Sequence, residues 1–181
     1  MIFISAGHNP KGLKPDPGAV GNGYTEANLA SEFRDLVCAQ LRIAGVEFVT
    51  DTDDEKLGTY LERIKTGPAS VVVEFHFDAA ISNQATGATS LIEAEADRLD
   101  RAFAQELVNE GSTILGIKNR GVKSETESHR GYLGLMREHG IICLYEICFI
   151  SNAADIQTYQ ANKNKLATRF ASILIKYENM L

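Results

Sequence analysis

The chain has 181 residues, 44% of them hydrophobic and 23% charged, with a formal net charge of −6. That length and composition fit one soluble domain whose core needs no staples, so a single catalytic domain over 1–181 is expected. The acidic balance carries no electrostatic footprint for nucleic acid, and no apolar run has the length of a membrane span, so neither partner is expected.

Met1 opens directly into the apolar run Met1–Ser5, a strand with no charged start and no long apolar core. Synthesis in the cytoplasm without a signal peptide is the expectation. Ala27–Ala44 reads as a helix, because Leu29, Phe33, Leu36, Val37 and Leu41 form one stripe and Gly45 can end it in a left-handed conformation. Val46–Thr50 has strand length, and Asp54–Thr66 reads as a second helix stopped by Gly67-Pro68. Ala69–Phe77, Thr89–Glu93 and Ile141–Phe149 are further strands, while Ala96–Asn109 and Leu166–Tyr177 are helices. Strands alternating with helices predict a three-layer α/β domain around one mostly parallel sheet. Gly111–Gly140 has only short apolar pieces, and is either a functional loop region or misread structure. The three cysteines, Cys38, Cys143 and Cys148, sit in apolar runs and read as buried reduced thiols.

In open α/β sheets, ligands bind beyond the carboxyl ends of the strands. His8 follows the first strand in "SAGHNPKG", His76 lies late in "SVVVEFHFDAA", Glu146 interrupts the apolar "IICLYEICFISN", and Glu26 begins the first long helix. Singly, each has a plain structural explanation; Glu26, for example, suits the positive end of the helix dipole. Glu146 is the hardest to explain that way, since an ionised carboxylate among apolar neighbours is costly unless it is paired or near a metal. Two imidazoles and one carboxylate make a common catalytic zinc set with an open fourth position. The long spacing between them proves little by itself.

These residues sit in motifs that resemble the zinc-dependent N-acetylmuramoyl-L-alanine amidases of the "amidase 3" type. The match runs in order through "ISAGH", "DPGAVGNGYTE", "TDTDDEKLGTYLERIK" with Arg63, "EFHFDAA", "GATSLI" and the most specific element, "LYEICFISNAAD". The resemblance implies a twisted six-stranded sheet, one Zn2+ ion on His8, Glu26 and His76, and Glu146 as the catalytic residue. It also implies a substrate, peptidoglycan, cut by zinc-activated water between N-acetylmuramic acid and the L-alanine of the stem peptide. A monomer is expected, acting on the cell wall after release in the manner of an endolysin. Three departures stand out. Ser5-Ala6 replaces the family's Asp-Pro before Gly-His, so a carboxylate that orients the first ligand is missing or comes from elsewhere. Glu74 stands two residues before His76 where a small Ser is common, and Asp78 stands in place of Asn. Glu74 then reads either as a partner for a metal-bound histidine or as one half of an ion pair at the sheet edge.

Gly111–Gly140 and Asp78–Gly87 are expected to line the substrate groove. Arg120, Lys123, Arg130 and Arg137 are cations there, most simply solvated, and His129 and His139 read as surface residues. The competing readings are another zinc amidohydrolase or carboxypeptidase acting on small peptides, and an inactive wall-binding module.

Overall fold

The structure is a computed structural model that describes residues 1–128 and 131–181. Its elements run β1 (Ile2–Ala6), β2 (Val20–Gly21), β3 (Tyr24–Thr25), α1 (Glu26–Ile43), β4 (Phe48–Thr50), α2 (Leu57–Arg63) and β5 (Val71–Asp78). Then come β6 (Ala88–Ile92), α3 (Arg98–Leu115), β7 (Asn119–Ser124), β8 (Ile141–Phe149) and α4 (Ala153–Glu178), with 3₁₀ turns at Glu125–Glu127 and Gly134–Arg137. Six strands form one sheet in the order β4-β1-β5-β8-β6-β7. The first four are mutually parallel, β6 runs antiparallel to β8, and β7 is parallel to β6. The expected three-layer α/β fold with a mostly parallel six-stranded sheet is the observed one.

Side-chain alternation along the central strands assigns the two faces different work. Ile2, Ile4, Val71, Val73, Phe75, Cys143, Tyr145 and Ile147 point into the larger core, where they meet α1, α3 and α4. Phe3, Val72, Ile142 and Leu144 point the other way, into a smaller core closed by Tyr60 and Ile64 near α2 and by Leu135 and Met136. Three long helices thus cover one face, while a short helix and a 3₁₀ turn cover only part of the other. Ser5, Glu74, His76 and Glu146 fall on the positions that alternate with the larger core, at the thinly covered face.

The structure lengthens the last helix considerably. It begins at Ala153, where the Asn152 side chain accepts hydrogen bonds from the backbone N–H groups of Ala154 and Asp155. Polar residues between 157 and 165 hide this first half from a hydrophobic pattern, although Ile156 and Tyr159 are buried. The third helix likewise runs on to Leu115 and is closed by Gly116 at φ 65. The second is shorter than its pattern, Leu57–Arg63, with extended backbone at Lys56 and Ile64. Of the two alternatives for Gly111–Gly140, the second holds for much of it: its described residues include the end of α3, strand β7 and both 3₁₀ turns. The hairpin β2–β3 was also not visible as alternation, since two-residue strands carry no period. Among the described residues no helix is long and apolar enough to cross a membrane. The three cysteines are free and buried, and burial pushes their thiols up, to about 11 for Cys38 and about 12 for Cys143.

Candidate metal centre

His8 stands just beyond β1 with φ 67, in the left-handed region that a residue with a Cβ rarely adopts. The turn is held on both sides, by the Gly7 N–H donating to the Phe75 carbonyl and by paired backbone hydrogen bonds between Asn9 and Asp16. Gly7 has a steric reason to lack a side chain, because a Cβ there would overlap the His76 ring. Asp16 supplies the orienting carboxylate that the Ser5-Ala6 departure left open: its Oδ2 lies 2.8 Å from His8 Nδ1. Its other oxygen accepts from the Gly18 N–H at 3.1 Å. The remaining ring nitrogen, Nε2, is buried, makes no hydrogen bond, and lies 3.1 Å from Glu26 Oε2.

Glu26 is the first residue of α1, whose N-cap Thr25 accepts from the Asn28 N–H. Its side chain is fully buried, and backbone donors fix both oxygens: the Ala19 N–H on Oε2 at 2.9 Å and the Phe77 N–H on Oε1 at 3.2 Å. His76 Nδ1 lies 2.8 Å from the same Oε1. One carboxylate therefore sits between two imidazoles. Burial by itself would raise the Glu26 carboxyl, but the hydrogen bond from His76 and the close contact with the His8 ring outweigh it and hold the group far below the ordinary 4.5. Burial likewise disfavours charge on His76, yet its hydrogen bonds to Glu26 and Glu74 push it up to about 10. His8 is raised for the same reason, its contacts with Glu26 and Asp16 exceeding desolvation.

One donor atom from each of His8, Glu26 and His76 lies within 4.8 Å of the others. A buried imidazole nitrogen with no hydrogen bond, a wedged carboxylate and a second imidazole make one of the common donor sets of a catalytic zinc ion. The residues fit the ion. On the next strand, Glu146 is the register partner of His76 and is 8% exposed. Its partner on the other side is Thr89 of β6. Two clefts adjoin at this pair. One, of about 440 Å³, is lined by His8, Lys14, Asp16, Glu74 and His76. The other, of about 420 Å³, is lined by Asp78, Arg120, Lys123, Glu146 and Phe149.

All four residues singled out in the sequence are thus brought to one end of the sheet. Asp16 belongs to the motif "DPGAVGNGYTE", and its place in the turn leading to Glu26 is the sequence signal for its role at His8. Two of the positions that depart from the family pattern, Ser5 and Glu74, are register partners on β1 and β5. Asp78 follows an irregularity in the β5–β8 pairing. It turns from Glu74 and His76 into the second cleft. Cys148 belongs to the larger core and Arg63 to an ion pair with Glu55 at 2.6 Å, so neither joins the centre. His139 is exposed one residue before Gly140 at the opposite, amino-terminal end of β8, and Arg137 is exposed with its guanidinium over the Tyr132 ring. His129 and Arg130 lie outside the described residues.

A family model described as N-acetylmuramoyl-L-alanine amidase matches residues 2–176. Among curated proteins, the chain is 25% identical over 158 residues to YqiI of Bacillus subtilis (strain 168), covering 85% of this chain and 72% of that protein. Among solved structures, it is similar to the catalytic domain of the amidase CwlV from Bacillus (Paenibacillus) polymyxa var. colistinus, with a TM-score of 0.79, 22% identity, and 99% and 98% of the two chains covered. It is also similar to the amidase AmiC2 of Nostoc punctiforme, with a TM-score of 0.77, 22% identity, and 98% and 96% covered. At these identities the structures share the fold, and the match over residues 2–176 supplies the kinship: the chain belongs to the N-acetylmuramoyl-L-alanine amidase family.

Proposed function

We propose that His8, Glu26 and His76 hold one zinc ion, and that Glu146 is the acid–base residue of a peptidoglycan amidase. The bond cut joins the lactyl carbonyl of N-acetylmuramic acid to the nitrogen of L-alanine. Bound at these three side chains, zinc supplies a Lewis acid for the amide carbonyl and lowers the pKa of water toward about 7. Glu146 accepts a proton from the attacking water as its oxygen adds to the carbonyl carbon. It then delivers that proton to the alanine nitrogen as the C–N bond breaks, leaving a carboxylic acid and a free amino terminus. Glu26 and both histidines stay in place throughout, held by the backbone donors at Ala19 and Phe77 and by the carboxylates of Asp16 and Glu74.

The observation that carries this reading is the buried His8 Nε2, without a hydrogen bond, facing the carboxylate that also meets His76. The two clefts on either side of Glu146 suit a polymer that enters from one side and leaves by the other. Its cell-wall substrate places the protein's action at the wall. The test is mass spectrometry of purified peptidoglycan digested by the zinc-loaded protein. New L-alanine amino termini are expected. New sugar reducing ends, or cuts within the stem peptide, would overturn the proposal.

A further inference from the structure

Each histidine of the centre keeps one nitrogen toward Glu26 and gives the other to a second carboxylate, but the two carboxylates differ. The Asp16 side chain, which meets His8, is 59% exposed. Glu74, which meets His76 Nε2 at 2.9 Å through Oε1, is 2% exposed. Its other oxygen, Oε2, accepts from the Ser5 hydroxyl at 3.1 Å. Ser5 is its register partner on β1, so strand pairing fixes the distance between them. Both oxygens of Glu74 are therefore committed, one to the ring and one to the neighbouring strand.

We propose that Glu74 is the positioning residue of the metal centre, with Ser5 holding it in place. A carboxylate at Nε2 keeps the ring proton on that nitrogen. It therefore leaves the Nδ1 lone pair, the one facing Glu26, for the metal. It also raises the donor strength of that nitrogen. The low local dielectric around a buried carboxylate makes this contact stronger than its exposed counterpart at Asp16, which water and salt screen. Glu74 acts through His76, the ring its Oε1 meets. The inference rests on the reading of His76 as a metal ligand.

The test is a zinc affinity series by chelator competition, with folding checked by circular dichroism. Glu74→Gln keeps shape but removes charge, and is expected to weaken zinc about 10- to 100-fold. Glu74→Ser weakens it at least as much. Ser5→Asp combined with Glu74→Ser returns one acid and one hydroxyl to the same register pair, and is expected to recover most of the lost affinity, which a purely structural role for Glu74 would not give. In the zinc-loaded wild type, ¹⁵N NMR of the His76 ring is expected to show the proton on Nε2. Unchanged zinc affinity in folded Glu74→Gln, or a double variant no tighter than Glu74→Ser alone, overturns the proposal. Equal zinc binding by wild type and His76→Ala would instead bring down the metal-centre reading, and this inference with it.

Discussion

Glu146 and His76 face the same end of the sheet from adjacent strands, yet the roles proposed for them are separable, and substitution distinguishes them. Glu146→Gln keeps the size of the side chain and none of the three donor atoms is touched. It should retain zinc by metal analysis while turnover falls at least about 10²-fold. An active, zinc-loaded variant would remove Glu146 from the chemistry. The titration of His76 gives a second outcome. In metal-free protein its folded value of about 10 exceeds the ordinary 6.5, because the Glu26 and Glu74 contacts outweigh burial. The stability it contributes is complete below pH 6.5, shrinks as pH rises toward 10, and is gone above that. Glu26, held low, contributes in the opposite sense: its share is present above pH 4.5 and lost in acid. The melting temperature of metal-free protein should therefore fall between pH 6.5 and 10. Zinc requires neutral imidazoles and so replaces this source of stability. A flat metal-free profile would contradict the buried ion pairs.

At the scale of elements, the site depends on turns that tolerate no side chain. Gly18 has φ +62, and a Cβ there would stand 2.5 Å from the His8 ring and 2.7 Å from Glu26 Oε2. Gly18→Ala thus meets backbone strain and a collision with two proposed ligands at once. Zinc affinity and activity should both drop about tenfold or more, in step with displaced ligands. Chelator competition checks the first and a peptidoglycan turbidity assay the second; wild-type zinc binding would show that the turn yields freely. The elements also mark where a sequence can be read. The first helix shows its stripe plainly because one face is buried along its whole length. The first half of the last helix does not, since its backbone is fixed by the Asn152 cap and by tertiary contacts at Ile156 and Tyr159 among polar neighbours. Strand β7 is no more legible, because as an edge strand it is only partly buried and needs little apolar alternation.

For the whole molecule, the three proposed ligands, just beyond β1, on α1 and on β5, bring together segments far apart in the chain. A bound ion should therefore stabilise the fold globally, by about 2.7 kcal/mol at a hundredfold excess over the dissociation constant. Chelation should lower the melting temperature near neutral pH, and returning zinc should restore it. No shift on chelation would mean that the three donors do not share an ion.

The sequence alone determined the alternation of strands and helices and four chemically conspicuous residues, two of them on apolar strands, where an imidazole or a carboxylate is costly without a partner. Motif resemblance added the sixth strand and the roles. Only the tertiary structure decided that Asp16 supplies the carboxylate at His8 and that Ser5 and Glu74 face each other across β1 and β5. The same holds for the thinly covered face of the sheet, which α2 and a 3₁₀ turn leave open at its carboxyl end. The reason is physical: periodicity reports which way a side chain points along its own element, whereas the distance between side chains of different elements is set by register and packing.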